Sequence, residues 1–166
     1  MRSIGELNQL DPGAFATEMA PLFEGAPKFL AALAAARPFD SDEDLFDSAR
    51  VVARELSADA QLELLGAHPR IGADPVAISS HSRQEQGYDG QDPLPDDQAW
   101  VGNELEALND AYETRFGFRF VVFVDGRPKS EILEILQQRL ERTREEELQA
   151  GLRELVAIAR DRWEGG

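Results

Sequence analysis

The sequence predicts an all-α fold: a single compact domain (1–166) of about seven to eight helices, with one long loop and one isolated extended segment at about 118–124. Three observations carry this prediction. Apolar side chains recur at intervals of three and four residues through most of the chain, the period of a helix with one buried face. Ser, Asp, Pro and Gly stand at the ends of those runs, where caps and breaks belong. The single run of strand-favouring residues, Phe118 to Val124, has no second run to pair with, which argues against a sheet.

In chain order, Asp11-Pro12 reads as an N-cap followed by Pro at the first helical position, and Phe15, Met19, Leu22 and Phe23 continue the stripe. A second helix runs from about Pro27 to Ala36 through Phe29, Leu30 and Leu33, and Pro38 stops it. Asp40 or Ser41 caps a third, with Leu45, Phe46, Ala49, Val52, Ala53 and Leu56 on its apolar face. Ser57 restarts the chain as a helix through Leu62, Leu64 and Leu65, broken at His68-Pro69. Residues 72–95 are dominated by Gly, Pro, Ser, Asp and Gln and read as a long functional loop holding one short helix, with Ser82 as N-cap and Glu85 completing a capping box. Pro95-Asp96-Asp97 opens a helix with Trp100, Val101, Leu105, Leu108 and Tyr112 on its stripe, ending near Gly117. The extended run ends at an Asp125-Gly126 turn, and helices over roughly 129–142 and 143–163 finish the chain.

Composition excludes several classes of function. With 32 acidic against 17 basic side chains the net charge is −15, which repels nucleic acid and anionic membrane surfaces. The absence of cysteine removes disulfides, thiolate nucleophiles and Cys-ligated metals. Neither a signal-peptide pattern nor an apolar run long enough for a membrane span is present, so the expectation is a soluble, cytoplasmic protein.

The stretch Gly66-Ala67-His68-Pro69-Arg70-Ile71-Gly72 is the most informative in the chain. Pro69 pushes His68 out of the helical region, and an imidazole fixed in such a break can exchange protons near neutral pH. A cap at a helix C-terminus, favoured by the dipole, accounts for the same residue equally well. Glu85 is either simple helix architecture or a carboxylate partner for His68, and a His/Glu pair suffices for proton transfer. His81 lies thirteen residues from His68, a spacing that matches no zinc pattern, and no metal site is expected. The acidic run Asp40 to Asp47 lacks the Gly and Glu positions of a calcium loop, and Ser82 lacks the strand-elbow context of a hydrolytic nucleophile. Phe116, Phe118, Phe120 and Phe123 suit a core, while the unpaired backbone around them would leave donors and acceptors for a small polar ligand such as a ureide. Arg162, among Ile158, Ala159 and Trp163, is a surface cation or an anion clamp.

Taken together, Arg37-Pro38-Phe39, His68-Pro69 followed by Gly72, Ser82-x-x-Glu85-Gln86, Leu108-Asn109 with Tyr112, Phe116-Gly117-Phe118-x-Phe120, Arg139-Leu140 and Ile158-Ala159-x-x-Arg162 resemble the OHCU decarboxylase family of urate degradation over nearly the whole chain. The resemblance implies an all-helical enzyme without a cofactor, usually a homodimer, that converts 2-oxo-4-hydroxy-4-carboxy-5-ureidoimidazoline to (S)-allantoin and carbon dioxide. It implies His68 and Glu85 as the catalytic pair and Pro69, Ser82 and Gln86 as substrate contacts. Backbone groups of Phe120, Val121, Val122, Phe123 and Val124 would hold the ureidoimidazoline, and Arg162 would bind an anion. Loss of carbon dioxide from such a substrate leaves an enolate-type carbanion delocalised into the ring, so aimed donors and one delivered proton are the chemistry the protein must supply. Two positions depart from the family pattern: Arg119 stands where Pro is common between the aromatics, and Arg142 or a close neighbour stands where Asn is usual after Arg-Leu. The transthyretin-like domain and peroxisomal tail of some relatives are not expected, and a stand-alone bacterial enzyme is the simplest expectation.

Overall fold

The computed structural model describes residues 2–73, 77, 79–87 and 96–165, with the side chains of the last helix-bearing stretch described from Trp100 onward. The opening of a helix at Pro95 and half of the 72–95 loop lie outside the described residues. Among those described there are nine α-helices and one 3-10 turn, with no strand, and seven of the nine helices have seven residues or more. The chain divides into two compact units, Met1–His68 with Leu152–Gly166, and Pro69–Gly151.

The first unit holds α1 (Ile4–Gln9), α2 (Pro12–Met19), the 3-10 turn (Ala20–Leu22), α3 (Pro27–Ala35), α4 (Asp42–Glu55), α5 (Ala58–Ala67) and the later part of α9 (Arg144–Gly165). Asp11 caps α2 through Gly13 and Ala14 N–H, Ser41 caps α4 and Ser57 caps α5, as the sequence predicts. The helix α1 was not anticipated, although Ser3 and Glu6 form a full capping box. Phe15, Met19, Phe23, Phe29, Leu33, Phe46 and Leu64 are fully buried. The Arg37-Pro38-Phe39 landmark is architecture here. The Arg37 guanidinium donates to the carbonyls of Ala34, Leu7 and Leu10 and lies over the Phe15 ring, closing two helix C-termini at once. The Phe39 backbone meanwhile exchanges two hydrogen bonds with the Asn8 side chain.

The second unit holds α6 (Ser80–Glu85), α7 (Asp96–Phe116), the extended segment 118–124, α8 (Lys129–Arg139) and the beginning of α9. Two expectations are corrected. The cap of α6 is Ser79, whose hydroxyl accepts from the Ser82 N–H at 3.1 Å, so Ser82 sits one turn inside the helix and forms no capping box with Glu85. Trp100 is 60% exposed instead of joining the apolar stripe of α7. At 100° per residue it stands roughly 140° around the helix from Leu105, whereas Asn109, Tyr112 and Phe116 stay within about 40° of it, and those four are buried.

The segment 118–124 is extended and isolated among the described residues, as expected. Aromatic packing replaces sheet pairing: the Tyr112 ring meets Phe116 at 4.6 Å, Phe120 at 5.2 Å and Phe118 at 6.0 Å, all edge-on. Each such pair contributes about 0.5–1.5 kcal/mol beyond its buried area. Asp125 and Gly126 both have positive φ, and the Arg127 N–H bonds the Val124 carbonyl, so the chain reverses there before α8.

Candidate active site

His68 is the C-cap of α5, with φ −74° and ψ 142°, and is only 3% exposed. That is the conformation Pro69 enforces: its ring forbids the residue before it the helical region and ends the helix at Ala67. The imidazole is therefore a buried group at a backbone break in the first unit, at the helix C-cap.

The turn that follows belongs to the second unit and is clamped from two helices. Gly72 has φ +80°, which glycine adopts without strain. Its N–H donates to Gln86 Oε1 at 2.9 Å, and Gln86 Nε2 donates to the Arg70 carbonyl at 3.1 Å. The buried Asn109 amide donates to the Ile71 carbonyl at 3.1 Å and to the Leu105 carbonyl at 2.8 Å. Arg70 grips α7, with Nε and Nη2 on the two oxygens of Glu113 at 2.8 and 2.7 Å and Nη1 on Asp110 at 2.8 Å. These bonds raise the Arg70 pKa further and hold the Glu113 carboxyl below its ordinary value. Gln86, read from the sequence as a substrate contact, thus also fixes the backbone just after His68.

Ser82 is buried in the first turn of α6, and Glu85 ends that helix half-buried. His81 is half-buried on the same helix. No group of three His, Asp or Glu side chains is placed to hold a metal among the described residues.

The extended segment is held by arginines. Arg139 Nη1 donates to the Val121 carbonyl at 2.9 Å while its guanidinium lies over the Phe120 ring. Arg127 donates to the carbonyls of Phe123 and Val124. The expectation that this backbone keeps its acceptors open therefore needs amending, since three of its carbonyls are engaged inside the fold. Arg139 is itself bound through Nε to Glu147 Oε2 at 2.6 Å, and the Tyr112 hydroxyl donates to that same oxygen at 2.6 Å. Burial, then the bond to Glu147, pushes the Tyr112 phenol well above its ordinary pKa of 10.0. Burial alone lowers Lys129, at the start of α8. Sequence reasoning took Tyr112 as a stripe residue and landmark and Arg139 as a landmark, and found neither Glu147 as their partner nor Glu113 and Asp110 as partners of Arg70. The local signal for Glu147 is its place as the third acid in Glu145-Glu146-Glu147, directly before the buried Leu148.

Arg162 is 5% exposed, which rules out the surface-cation reading. In the first unit its Nη1 donates to the carbonyls of Pro21 and Leu22 and its Nη2 to Glu24 Oε1 at 2.9 Å. It ties α9 to the 3-10 turn. The two arginines that depart from the family pattern both fall on carboxylates that already hold another arginine: Arg119 lies 3.5 Å from Glu113, and Arg142 lies 3.6 Å from Glu147.

The sequence model of the OHCU decarboxylase family matches residues 8–164. The chain is 34% identical over 162 residues to the uric acid degradation bifunctional protein PucL of Bacillus subtilis, covering 98% of this chain and 32% of that protein. It is 30% identical over 157 residues to the 2-oxo-4-hydroxy-4-carboxy-5-ureidoimidazoline decarboxylase of Halalkalicoccus jeotgali, covering 95% of this chain and 87% of that one. It thus spans about a third of the length of the bifunctional relative and most of the single-activity one. A crystal structure of an OHCU decarboxylase in the presence of (S)-allantoin superposes with a TM-score of 0.69 at 24% identity, covering 89% of this chain and 95% of that one, which shows a shared fold. No helix among the described residues is long and apolar enough to cross a membrane.

Proposed function

The chain belongs to the OHCU decarboxylase family, and from that premise we propose that it converts 2-oxo-4-hydroxy-4-carboxy-5-ureidoimidazoline to (S)-allantoin and carbon dioxide. The observation that carries this reading is the family match over residues 8–164, supported by a decarboxylase relative matched along 87% of its length.

In the proposed reaction the bond from the ring carbon to the carboxylate breaks, carbon dioxide leaves, and the electron pair enters the ring. The former hydroxyl gives up its proton to become the carbonyl of allantoin, the ring nitrogen that received the electron pair takes one up, and a second is delivered to a single face of the adjacent ring carbon, a net uptake of one. His68 is assigned as the donor of the proton delivered to carbon. It regains a proton from solvent, and its burial keeps it from being merely one of many solvent-borne acids. Glu85 is assigned to bond the substrate hydroxyl or orient the imidazole. Pro69, Ser82, Gln86 and the backbone of Phe120 to Val124 are assigned to binding, where fixed donors stabilise the developing oxyanion.

The test is circular dichroism on substrate made fresh by urate oxidation and hydrolysis. The protein should yield (S)-allantoin faster than the racemic uncatalysed decay. His68→Asn should lower kcat by about 10²–10⁴-fold, the range of a lost general acid. Enantioselective turnover by His68→Asn at close to the parent rate would sink the assignment of His68. An unchanged racemic decay with the parent protein would sink the activity itself.

A further inference from the structure

We propose that Glu147, Arg139 and Tyr112 form a buried hub that aims the peptide groups of residues 120–124, and that they are positioning residues for the reaction proposed above. The part of this inference that concerns catalysis rests on that reading. The part that concerns the segment does not.

Glu147 on α9 is fully buried, and two helices and the turn after α8 converge on its carboxylate within the second unit: Tyr112 from α7 and Arg139 from α8 on Oε2, and Arg142 from the turn 3.6 Å from Oε1. Arg139 spends its fork in two directions, Nε toward Glu147 and Nη1 toward the Val121 carbonyl. Stability alone is a poor reason for such a group, because apolar side chains of like volume often replace a buried ion pair at no loss. What apolar packing lacks is direction. Phe118, Phe120, Val121 and Val122 are all nearly fully buried and would hold the segment in place without fixing its rotation about its own axis.

The Val121 bond fixes that rotation. Among the described residues the only cis peptide is Arg37-Pro38, so the link from Val121 to Val122 is trans. In a trans peptide the C=O and the following N–H point in opposite directions. With the Val121 oxygen held on Arg139, the Val122 N–H is aimed to the other side of the segment. Arg127 holds the Phe123 and Val124 carbonyls at the end of the segment. The direction of the Val122 donor is thereby decided at Glu147, well inside the protein. A planar guanidinium fixes both directions at once through its rigid fork, whereas the rotatable donors of an ammonium on a flexible stem leave the carbonyl direction loose.

The discriminating variant is the double change Arg139→Met with Glu147→Leu, which removes the pair without leaving a lone buried charge. Two measurements are made on it and on the parent. Amide hydrogen exchange of residues 121–124 should accelerate about tenfold or more, because release of the Val121 carbonyl lets the largely buried segment open, while the central amides of α7 stay protected. In the folded variant kcat/KM should fall about tenfold or more, with the apparent pKa of the pH profile unchanged, because His68 is untouched. A folded double variant with parental exchange at 121–124 overturns the hub. Faster exchange with parental kcat/KM overturns its role in the reaction. If the parent itself fails to turn over the substrate, the proposed function fails and the exchange result still decides the hub. Should the double variant not fold, Tyr112→Phe and Arg139→Lys replace it. Arg139→Lys should lose both protection and activity and Tyr112→Phe should lose less of each, and parental behaviour of both refutes the proposal.

Discussion

Residues 69–73 and 118–124 are both short non-helical stretches of the second unit, both follow a helix end, and both carry candidate binding groups, yet they are held by opposite means. The first is gripped at its edge by Arg70, whose partners Glu113 and Asp110 keep 28% and 65% of their side-chain surface in water. The second is gripped from within, by Arg139 and Glu147 with 5% and 0% exposed. In water a charge that loses its partner is rehydrated at little cost, so the outer clamp tolerates adjustment. In the interior the same loss leaves a bare charge, so the inner clamp is intact or broken with nothing between. A turn beside the residue proposed as proton donor is thus kept adjustable, while the backbone proposed to present donors in one direction is kept rigid.

The largest effect should come from breaking the inner clamp on one side only. Glu147→Ala leaves the Arg139 guanidinium and the Tyr112 hydroxyl without their shared acceptor, and urea unfolding should report a loss of about 3–5 kcal/mol. A loss below that of the outer-clamp variants would reverse the contrast between the two stretches. Asn109 stands between the extremes. It is a neutral amide, 1% exposed, that reaches the Ile71 carbonyl from α7. Asn109→Leu keeps the branched outline of the side chain, though with larger volume, and removes the donor, so it should cost at least about 1–3 kcal/mol, the penalty for an acceptor stripped of its bond.

The comparison also marks what one sequence can disclose. Local rules were legible: Asp11-Pro12, Ser41 and Ser57 each start a helix, and Pro69 ends one by forcing His68 into the extended region. The isolation of 118–124 was legible too, because no second strand-forming run exists to pair with it. Where several residues satisfied one rule, the rule could not choose: Ser79, Ser80 and Ser82 are all good caps, and Ser82-x-x-Glu85 imitates a capping box while Ser79 is the cap. Both clamps were illegible for a different reason. Arg70 meets Glu113 across 43 residues and Tyr112 meets Glu147 across 35, pairings set by how helices pack and not by any spacing along the chain. Arg162 shows the same limit, since its partner Glu24 lies 138 residues away.

The outer clamp gives the smallest changes and the clearest dependence on conditions. Glu113→Gln removes the carboxylate shared by Arg70 and Arg119, and at low ionic strength it should cost about 0.2–1 kcal/mol, a difference that shrinks as salt screens partly exposed charges. Its acid behaviour has a definite sign. Hydrogen bonds from Arg70 hold the Glu113 carboxyl below the ordinary 4.5, so the folded state binds its proton less readily than the unfolded chain does. The stability this supplies is fully present above about pH 4.5 and is lost as the pH falls through the lower folded-state value. Urea unfolding across that acid range should therefore fall less steeply for Glu113→Gln than for the parent, with the two curves converging at low pH. Asp110→Asn, on the more exposed partner of the same arginine, should cost less at neutral pH than Glu113→Gln, because water already competes for that bond. Equal losses from both variants would mean that Arg70 divides its grip evenly between them, and that exposure does not grade the outer clamp as it separates the outer from the inner.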